Sequence, residues 1–283
     1  MKKGKNLFMS KVSVSFIIVN YNNASKTDTM LSSMADFVSL ERVNKIVVVD
    51  NSSSPTELNQ LREVCSNFAA RIPVQLIESK TNLGYSGGLN LGMLKIDIRE
   101  SKFVILCNND LLFDKHFVTA LSDFDVPAEC HVVFPNVLSS GGVPENPRYI
   151  KRVSRKRRFA YDVYYLHYLS AILIDTFLTI ARKIKKPQKN NTHHVASECA
   201  LGVGACMILT EFFFHHYTKL DDRVFLWGEE ALLASMVRNA GGLQYYEPSI
   251  KVMHNAHSTV SKIQKFEKYK MMQASYRIFR DHL

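Results

Sequence analysis

Two amides and a carboxylate follow a short apolar run in the first half of the chain. The run covers residues 103–107, and Asn108, Asn109 and Asp110 come directly after it. Side chains at the carboxyl end of a buried strand face the crevice in which open α/β sheets bind ligands. Their oxygens suit Mg²⁺, which needs only one or two protein carboxylates when a substrate supplies phosphate oxygens. The alternative is a polar turn in which Asp114 caps the next helix, since Asn and Asp are common turn residues.

Two earlier apolar runs end in polar side chains of the same kind. Asn20 and Tyr21 follow residues 12–19, and Asp50 follows residues 45–49. The ring of Tyr21 could stack on a base or close over a sugar, and Asp50 could accept a hydrogen bond from a base N–H group. A half-buried surface ring and a turn cap are equally open alternatives.

A glycine-rich segment, residues 82–90 (NLGYSGGLN), leads into a predicted helix that begins near Gly88. Backbone amides at such a helix start favour phosphate-type anions. The segment matches neither GxGxxG nor GxxxxGKS/T, so a dehydrogenase or a kinase gains little support. Tight turning alone is the alternative role for these glycines.

Two carboxylates, Glu229 and Glu230, open a later predicted helix directly after Trp227 and Gly228. Either could take a proton as a general base, although the helix dipole favours acidic residues in any first helical turn. His254 ends the last predicted strand and could bind a metal ion or a diphosphate, whereas a lone histidine is more often structural. Gly204 lies in a run of small residues that would let another group approach the backbone closely.

The composition is that of a folded protein with a basic surface. The 283 residues are 46% hydrophobic, with 17 Phe and 12 Tyr, which excludes an intrinsically disordered chain. A net charge of +10 calls for an anionic partner such as nucleic acid, an anionic membrane or a phosphorylated substrate. Five cysteines without CxxC spacing are typical of reduced, buried thiols, and we expect no signal peptide.

Strands and helices are predicted to alternate in the first half of the chain, which indicates a mainly parallel sheet with helices on both faces. In the second half, a helix is predicted to turn four apolar residues toward the core, and two short strands follow it. The predicted strands cover residues 12–19, 45–49, 74–77, 103–107, 243–246 and 250–253, and the four core-facing residues are Leu232, Leu233, Met236 and Val237.

Residues 141–195 interrupt this alternation. Six cations lie between residues 151 and 158, an aromatic and aliphatic segment follows at 159–180, and four cations lie between 182 and 186. Four polar residues break the apolar segment, so it is a poor transmembrane span. We expect a helix in the interface of an anionic membrane, with a subdomain packed on the core as the alternative. No nucleic-acid-binding signature accompanies the basic run, so we expect no nucleic-acid partner.

Seven segments, in order, resemble the motifs of the family 2 glycosyltransferases with a GT-A fold, and most closely the rhamnosyltransferase-like enzymes of bacterial surface-polysaccharide synthesis. Each segment is weak alone, but seven in order are specific. The similarity covers about residues 12–258, with a poor fit over 141–195. The segments are SFIIVNYN (15–22), IVVVDNSS (46–53), NLGYSGGLN (82–90), NND (108–110), GACM (204–207), GEE (228–230) and His254.

The resemblance implies an inverting enzyme that moves a sugar from a UDP- or dTDP-sugar, for example dTDP-rhamnose, to a hydroxyl of a glycan or of a polyprenyl-diphosphate-linked acceptor. The product would belong to a surface polysaccharide such as O-antigen or capsule, and the cofactor would be Mg²⁺ or Mn²⁺. The implied donor contacts are Asn20, Tyr21, Asp50, Asn82, Gly84, Gly87, Gly88, Asn108, Asn109 and Asp110. The implied metal ligands are Asp110 and His254, the acceptor-side residues are Gly204 and Trp227, and the base is Glu230.

The sequence departs from the family pattern at two positions. Glu230 stands where the family's Gly-Glu-Asp signature ends in Asp, which keeps the carboxylate but adds a methylene, so Glu229 is an alternative base. Asn108 stands at the first position of the family's Asp-x-Asp metal site. An amide oxygen coordinates a cation more weakly than a carboxylate, so we expect a lower metal affinity.

These observations predict one α/β domain of GT-A type over residues 1–283, located in the cytoplasm at the inner face of the cell membrane. Within it we expect a nucleotide-sugar-binding half (12–135), a helical basic insertion (141–195), an acceptor and catalytic half (196–258) and a C-terminal helix (259–283). Two other functions stay open at this point. One is a nucleotide-sugar-binding protein without catalysis, and the other is a membrane-surface interaction protein.

Overall fold

The computed structural model describes residues 12–184, 191–255 and 264–283. The strands are β1 (Val14–Asn20), β2 (Val43–Asp50), β3 (Val74–Glu78), β4 (Phe103–Asn108), β5 (Leu111–Phe113), β6 (Cys130–Ser139), β7 (Ser197–Glu198), β8 (Cys206–Thr210) and β9 (Leu243–His254). The helices are α1 (Ala24–Ala35), α2 (Pro55–Phe68), α3 (Gly84–Met93), α4 (Phe117–Asp123), α5 (Arg155–Tyr164), α6 (Tyr168–Ile184), α7 (Glu211–Phe214), α8 (Glu229–Asn239) and α9 (Lys265–Phe279).

All nine strands join one sheet in the order β3-β2-β1-β4-β8-β6-β9-β5, with β7 paired to β9. The strands β3, β2, β1 and β4 are parallel, and so are β6 and β9. Between these groups β8 runs antiparallel to both of its neighbours. The predicted parallel sheet is confirmed, and the carboxyl ends of its first four strands lie along one edge.

Helices cover both faces of this sheet. Phe16 and Ile18 of β1 belong to one apolar core, whereas Ile17 packs in the other core with Leu89 of α3 and Leu233 of α8. Successive side chains of a strand point to opposite faces, so a strand that is buried on both faces must be apolar throughout. This explains the continuous apolar runs at residues 16–19, 46–49 and 103–107.

Two predicted elements differ from the structure. Residues 243–253 form one strand, β9, and not two, because β6 shifts register between Pro135 and Asn136 and the three residues 248–250 of β9 bulge opposite that shift. Helix α3 begins at Gly84, four residues before its predicted start. Pro248 lies in this bulge, which accommodates a residue that cannot donate to the ladder.

The insertion contains two helices, α5 and α6, where the sequence suggested one apolar segment. Ser170 interrupts the apolar segment, and its hydroxyl donates to the carbonyl of Val163 and accepts from the amide of His167. Helix α9 packs against α5, with the Tyr276 hydroxyl donating to Asp162 (2.7 Å). No helix within the described residues is both long enough and apolar enough to cross a membrane. Lys185, Lys186, residues 256–258 and residues 259–263 of the predicted C-terminal helix lie outside the described residues.

A glycine in the run 201–207 has a packing role. A Cβ atom on Gly202 would lie 2.1 Å from the ring of Phe134, which is fully buried. We therefore expect Gly202→Ala to lower the free energy of unfolding by about 1–3 kcal/mol, the usual cost of overpacking a core. Urea unfolding measures this, with Gly141→Ala as the control because the nearest atom to its new Cβ would be 3.9 Å away. Equal stability of the two variants would contradict the prediction.

Candidate active site

Three strand ends are joined by one buried amide. Asn20, at the end of β1, donates to Asp50 Oδ1 (3.1 Å) and accepts from Thr27 Oγ1 (3.1 Å) and Asn109 Nδ2 (2.8 Å). Asp50 is also buried, and its Oδ2 atom accepts from the amide of Ser53 (2.9 Å). The network fixes the ends of β1, β2 and β4 relative to one another. The side chains of Asn20 and Asn109 therefore position the strand ends that line the crevice.

Tyr21 follows this network and is exposed. Its side chain is 40% accessible and forms no hydrogen bond with the described residues. A free ring beside the end of β1 can stack on a flat ligand, which is the role that the sequence suggested.

The glycine-rich segment is held by a residue that the sequence did not single out. Asn51 donates to Asn82 Oδ1 (3.0 Å) and to the carbonyl of Gly84 (2.9 Å), and it accepts from the amide of Leu83 (2.9 Å). Its position directly after Asp50, at the end of β2, was the available signal. The result is a loop that crosses the end of β2 and enters α3.

Two of the glycines in this segment are required by geometry. Gly84 has φ +74°, and a Cβ atom there would lie 2.4 Å from the carbonyl oxygen of Phe225. A Cβ atom on Gly88 would lie 3.1 Å from Val19 of β1. The first glycine therefore permits the turn, and the second lets α3 pack closely on the sheet. Both effects bring the start of α3 to the crevice.

Asp110 and His254 lie side by side although 143 residues separate them in the chain. Asp110 Oδ1 is 3.3 Å from His254 Nε2, and Glu145 Oε2 is 2.9 Å from His254 Nδ1. Burial lowers the pKa of His254, but the two carboxylates together outweigh burial and raise that pKa to about 9. Glu145 was not a sequence candidate. It belongs to the insertion side of the chain, where no motif marked it.

The two glutamates lie at the start of α8, after Gly228, which has φ +95°. Glu230 Oε1 accepts a hydrogen bond from the amide of Gly204 (3.1 Å) and lies 3.6 Å from Arg148 Nη1. The Oε2 atom of Glu229 is buried and has no hydrogen-bond partner among the described residues. Burial is the main cause that raises the pKa of Glu229 above its usual range, and the neighbouring Glu230 raises it further.

This raised pKa predicts a pH-dependent stability. A glutamate in the unfolded chain ionises near pH 4.3, whereas folded Glu229 keeps its proton to a higher pH. As the pH rises above about 4.3, the unfolded state binds fewer protons than the folded state, so the free energy of unfolding falls. We expect Glu229→Gln to flatten this decline, as urea unfolding over about pH 5 to 8 will show. An unchanged slope would mean that Glu229 ionises normally in the fold.

The glutamates and the glycine-rich segment meet at Gly204. The Tyr85 hydroxyl of α3 donates to the carbonyl of Gly204 (2.9 Å), and a Cβ atom on Gly204 would lie 3.1 Å from Glu229 Oε1. The amide of Asn108 donates to the carbonyl of Ala205 (3.0 Å). The end of β4, the start of α3 and the start of α8 therefore converge on the turn before β8.

A cavity of about 140 Å³ opens beside Glu230. Its wall is largely aromatic, and Trp227 contributes to it together with side chains of α5 and α9. Among the described residues that line it, Arg148 is the one cation and Glu230 the one anion. The aromatic lining residues are Tyr149, Tyr161, Tyr165, Trp227, Tyr276 and Phe279.

Residues 15–202 match the sequence pattern described as Glycosyl transferase family 2, which is well over half of the chain. The chain belongs to glycosyl transferase family 2. The match spans the strand ends, the glycine-rich segment and Asp110, and it ends two residues before Gly204.

Proteins similar to this family 2 member include the low-salt glycan biosynthesis hexosyltransferase Agl10 of Haloferax volcanii. It is 31% identical over 134 residues, which is 47% of this chain and 39% of Agl10. The chain thus aligns with less than half of that relative's length.

Two solved structures show the same fold at 12% identity. GalNAc-T7 with UDP, GalNAc and Mn²⁺ has a TM-score of 0.59, and the match covers 87% of this chain and 44% of the GalNAc-T7 chain. The mannosyltransferase PcManGT of Pyrobaculum calidifontis, in complex with GDP-Man and Mn²⁺, has a TM-score of 0.56, and the match covers 97% of this chain and 69% of the PcManGT chain. The α/β fold of GT-A type that the sequence predicted is confirmed.

The residues of this family 2 site fit a cation that is held chiefly by a substrate. Asp110 Oδ1 is buried and faces His254 Nε2 at 3.3 Å without a well-aligned hydrogen bond to any described residue, so it can serve as a ligand. Both ring nitrogens of His254 already face carboxylates. Within the described parts of the chain, no group of three or more His, Cys, Asp or Glu side chains could hold a metal ion. The protein supplies few ligands, which suits Mg²⁺ or Mn²⁺ bound with phosphate oxygens.

Proposed function

We propose that the protein transfers a sugar from a nucleotide diphosphate sugar to an acceptor hydroxyl, with inversion at the anomeric carbon. One observation carries this proposal: Asp110 follows β4, Glu230 Oε1 accepts a hydrogen bond from the amide of Gly204 ahead of β8, and the pairing of these strands puts both carboxylates at one edge of the sheet. Membership of glycosyl transferase family 2 supports the reaction class.

The donor is proposed to lie along the carboxyl edge of the parallel strands. Tyr21 would contact the base beside the buried Asp50, and the glycine-rich segment would lie along the donor. UDP- and dTDP-sugars, dTDP-rhamnose among them, are the proposed donors. The cation site would be formed by Asp110, with His254 beside it.

The proposed chemical roles of these residues follow from their charges. Loss of the nucleoside diphosphate leaves new negative charge on its oxygens, and the site must stabilise that charge as it develops. A divalent cation at Asp110 would supply Lewis-acid stabilisation of the same oxygens. Glu230 takes the proton of the acceptor hydroxyl through Oε2, because its Oε1 atom is held by Gly204. Attack from the side of the base, opposite the leaving group, inverts the anomeric configuration.

A thermal-shift screen tests donor binding. A ligand that binds the native state raises the apparent stability by about 2.7 kcal/mol at 100 times its Kd, so the correct nucleotide sugar should raise the melting temperature, and more so with Mg²⁺ or Mn²⁺. Free sugars are the control. Failure of every nucleotide sugar to stabilise the chain would reject the proposal. Once a product is found, NMR reports its anomeric configuration, and retention would reject the inverting mechanism.

The acceptor is proposed to be a glycan, or a polyprenyl-diphosphate-linked glycan at the inner face of the membrane. Helix α6 exposes apolar side chains at helical spacing, with Leu169, Leu173, Phe177 and Ile180 all more than half accessible. These four positions lie on one stripe of the helix. Basic residues flank it, so the stripe suits the interface of an anionic bilayer.

Vesicle flotation tests this contact. We expect the protein to float with vesicles that contain phosphatidylglycerol, and Leu173→Glu with Phe177→Glu to reduce flotation strongly because charge is placed in the apolar stripe. Thr179→Glu is the matched control, since this exposed residue lies off the stripe. Equal flotation of the double variant and the control would contradict membrane contact through α6.

A further inference from the structure

The cavity beside Glu230 contains an arginine whose donors are not used. Arg148 lines the cavity, and its side chain is 54% accessible. It forms no hydrogen bond with the described residues, and its one ion pair, with Glu230 Oε1, is 3.6 Å long. A guanidinium group has five N–H donors in a planar fork that matches carboxylate or phosphate oxygens. Most of these donors are therefore available to a ligand.

The rest of the wall suits a sugar. Tyr165 stacks on Tyr276 with ring centroids 4.5 Å apart, and the hydroxyls of Tyr149 and Tyr161 are hydrogen-bonded to each other (2.9 Å). Binding pockets for small molecules are mostly aromatic or apolar with a few polar groups that fix orientation. Here those groups are one cation and one anion.

We propose that this cavity binds the terminal sugar of the acceptor and that Arg148 binds an anionic group, phosphate or carboxylate, on that sugar or on the adjoining one. This inference rests on the proposed function. Because Glu230 Oε1 and Arg148 Nη1 are 3.6 Å apart, a hydroxyl that is hydrogen-bonded to Glu230 and an oxyanion that is hydrogen-bonded to Arg148 would lie on the same sugar or on adjoining ones. The charge must therefore be close to the hydroxyl that attacks.

The chain offers a direct probe of this cavity, because Trp227 lines it and is the only tryptophan in the sequence. Three probes of similar size are titrated into the full chain while Trp227 fluorescence is followed: glucose 1-phosphate, glucuronate and methyl glucoside. We expect saturable binding of one or both charged probes and weaker binding of the neutral one. Inorganic phosphate is the fourth titration, and it should bind more weakly than the sugar probe because it cannot contact the aromatic wall.

Arg148→Ala should weaken binding of the charged probe about 10- to 100-fold, as expected for loss of hydrogen bonds to a charged group, and should leave methyl glucoside unchanged. The matched control is Arg277→Ala, since Arg277 is exposed on α9. Three results would each overturn the inference. They are equal binding of charged and neutral sugars, binding of inorganic phosphate as tight as that of the charged sugar probe, and unchanged affinity of the Arg148→Ala variant for that probe. The comparison of probes needs no variant, so it stands even if Arg148→Ala does not fold. The donor screen is independent of these titrations, so its failure identifies the proposed function as the error.

Discussion

Replacement of Glu230 with Gln is expected to lower the turnover of sugar transfer by about 10²- to 10⁴-fold, the usual contribution of a general base. Gln has the same shape, and its carbonyl oxygen can still accept the hydrogen bond from the amide of Gly204. It cannot take a proton from the acceptor. Binding of the nucleotide sugar should persist, because Glu230 faces the cavity beside Trp227 and not the glycine-rich segment.

Glu229→Gln distinguishes the two carboxylates. Burial and Glu230 raise the pKa of Glu229, so its neutral form is favoured and it is the weaker candidate for a base that must be ionised. We expect this variant to retain much more turnover than Glu230→Gln. Turnover is measured at saturating donor, and donor affinity is measured separately. A larger loss in Glu229→Gln would move the base to Glu229.

Replacement of Asp110 with Asn is expected to lower turnover by about 10²- to 10³-fold, the range seen when one group that stabilises developing charge is removed. Asn108 is an amide, so Asp110 is the charged side chain in this turn and the proposed ligand. Its loss should also weaken the stabilisation of the donor complex by Mg²⁺ or Mn²⁺. Initial rates and thermal shifts over a range of cation concentrations measure both effects.

Asp114→Asn is the matched control for this change. Asp114 is an exposed carboxylate four residues further along, and its Oδ1 atom accepts from the amide of His116 (2.8 Å), a bond that an Asn side chain can keep. We expect this variant to behave like the wild type. If Asp110→Asn also retained wild-type turnover and cation response, a diphosphate-binding role for Asp110 would be wrong.

Much of the site could be anticipated because its residues follow strands. Parallel strands end at one edge of a sheet, so Asn20, Asp50 and Asp110 had to be close once the strands were recognised. The structure then gave these residues different environments. Asn20 and Asp50 are hydrogen-bonded to each other in the interior, whereas Asp110 Oδ1 faces His254 Nε2 at 3.3 Å. Such differences depend on side-chain packing, which local patterns do not contain.

The residues that the sequence did not mark share one property: they act on partners distant in the chain. Asn51 holds the glycine-rich segment, Tyr85 reaches Gly204, Glu145 contacts His254 and Arg148 lies beside Glu230. Glu145 and Arg148 precede the two helices of the insertion, in a region without motifs. Their roles appear only when β6 and the chain after it are placed beside β8 and β9.

The sequence by itself determined the alternation of strands and helices, the candidate carboxylates and the family motifs, because these depend on the hydrophobic period and on short spacings. Only the tertiary structure decided which carboxylates differ in character. Burial and like charge raise the pKa of Glu229, and Gly204 and Arg148 hold Glu230 at the cavity. It also decided that the insertion forms one wall of that cavity, since this needs α5 and α9 to pack together across more than 100 residues of chain.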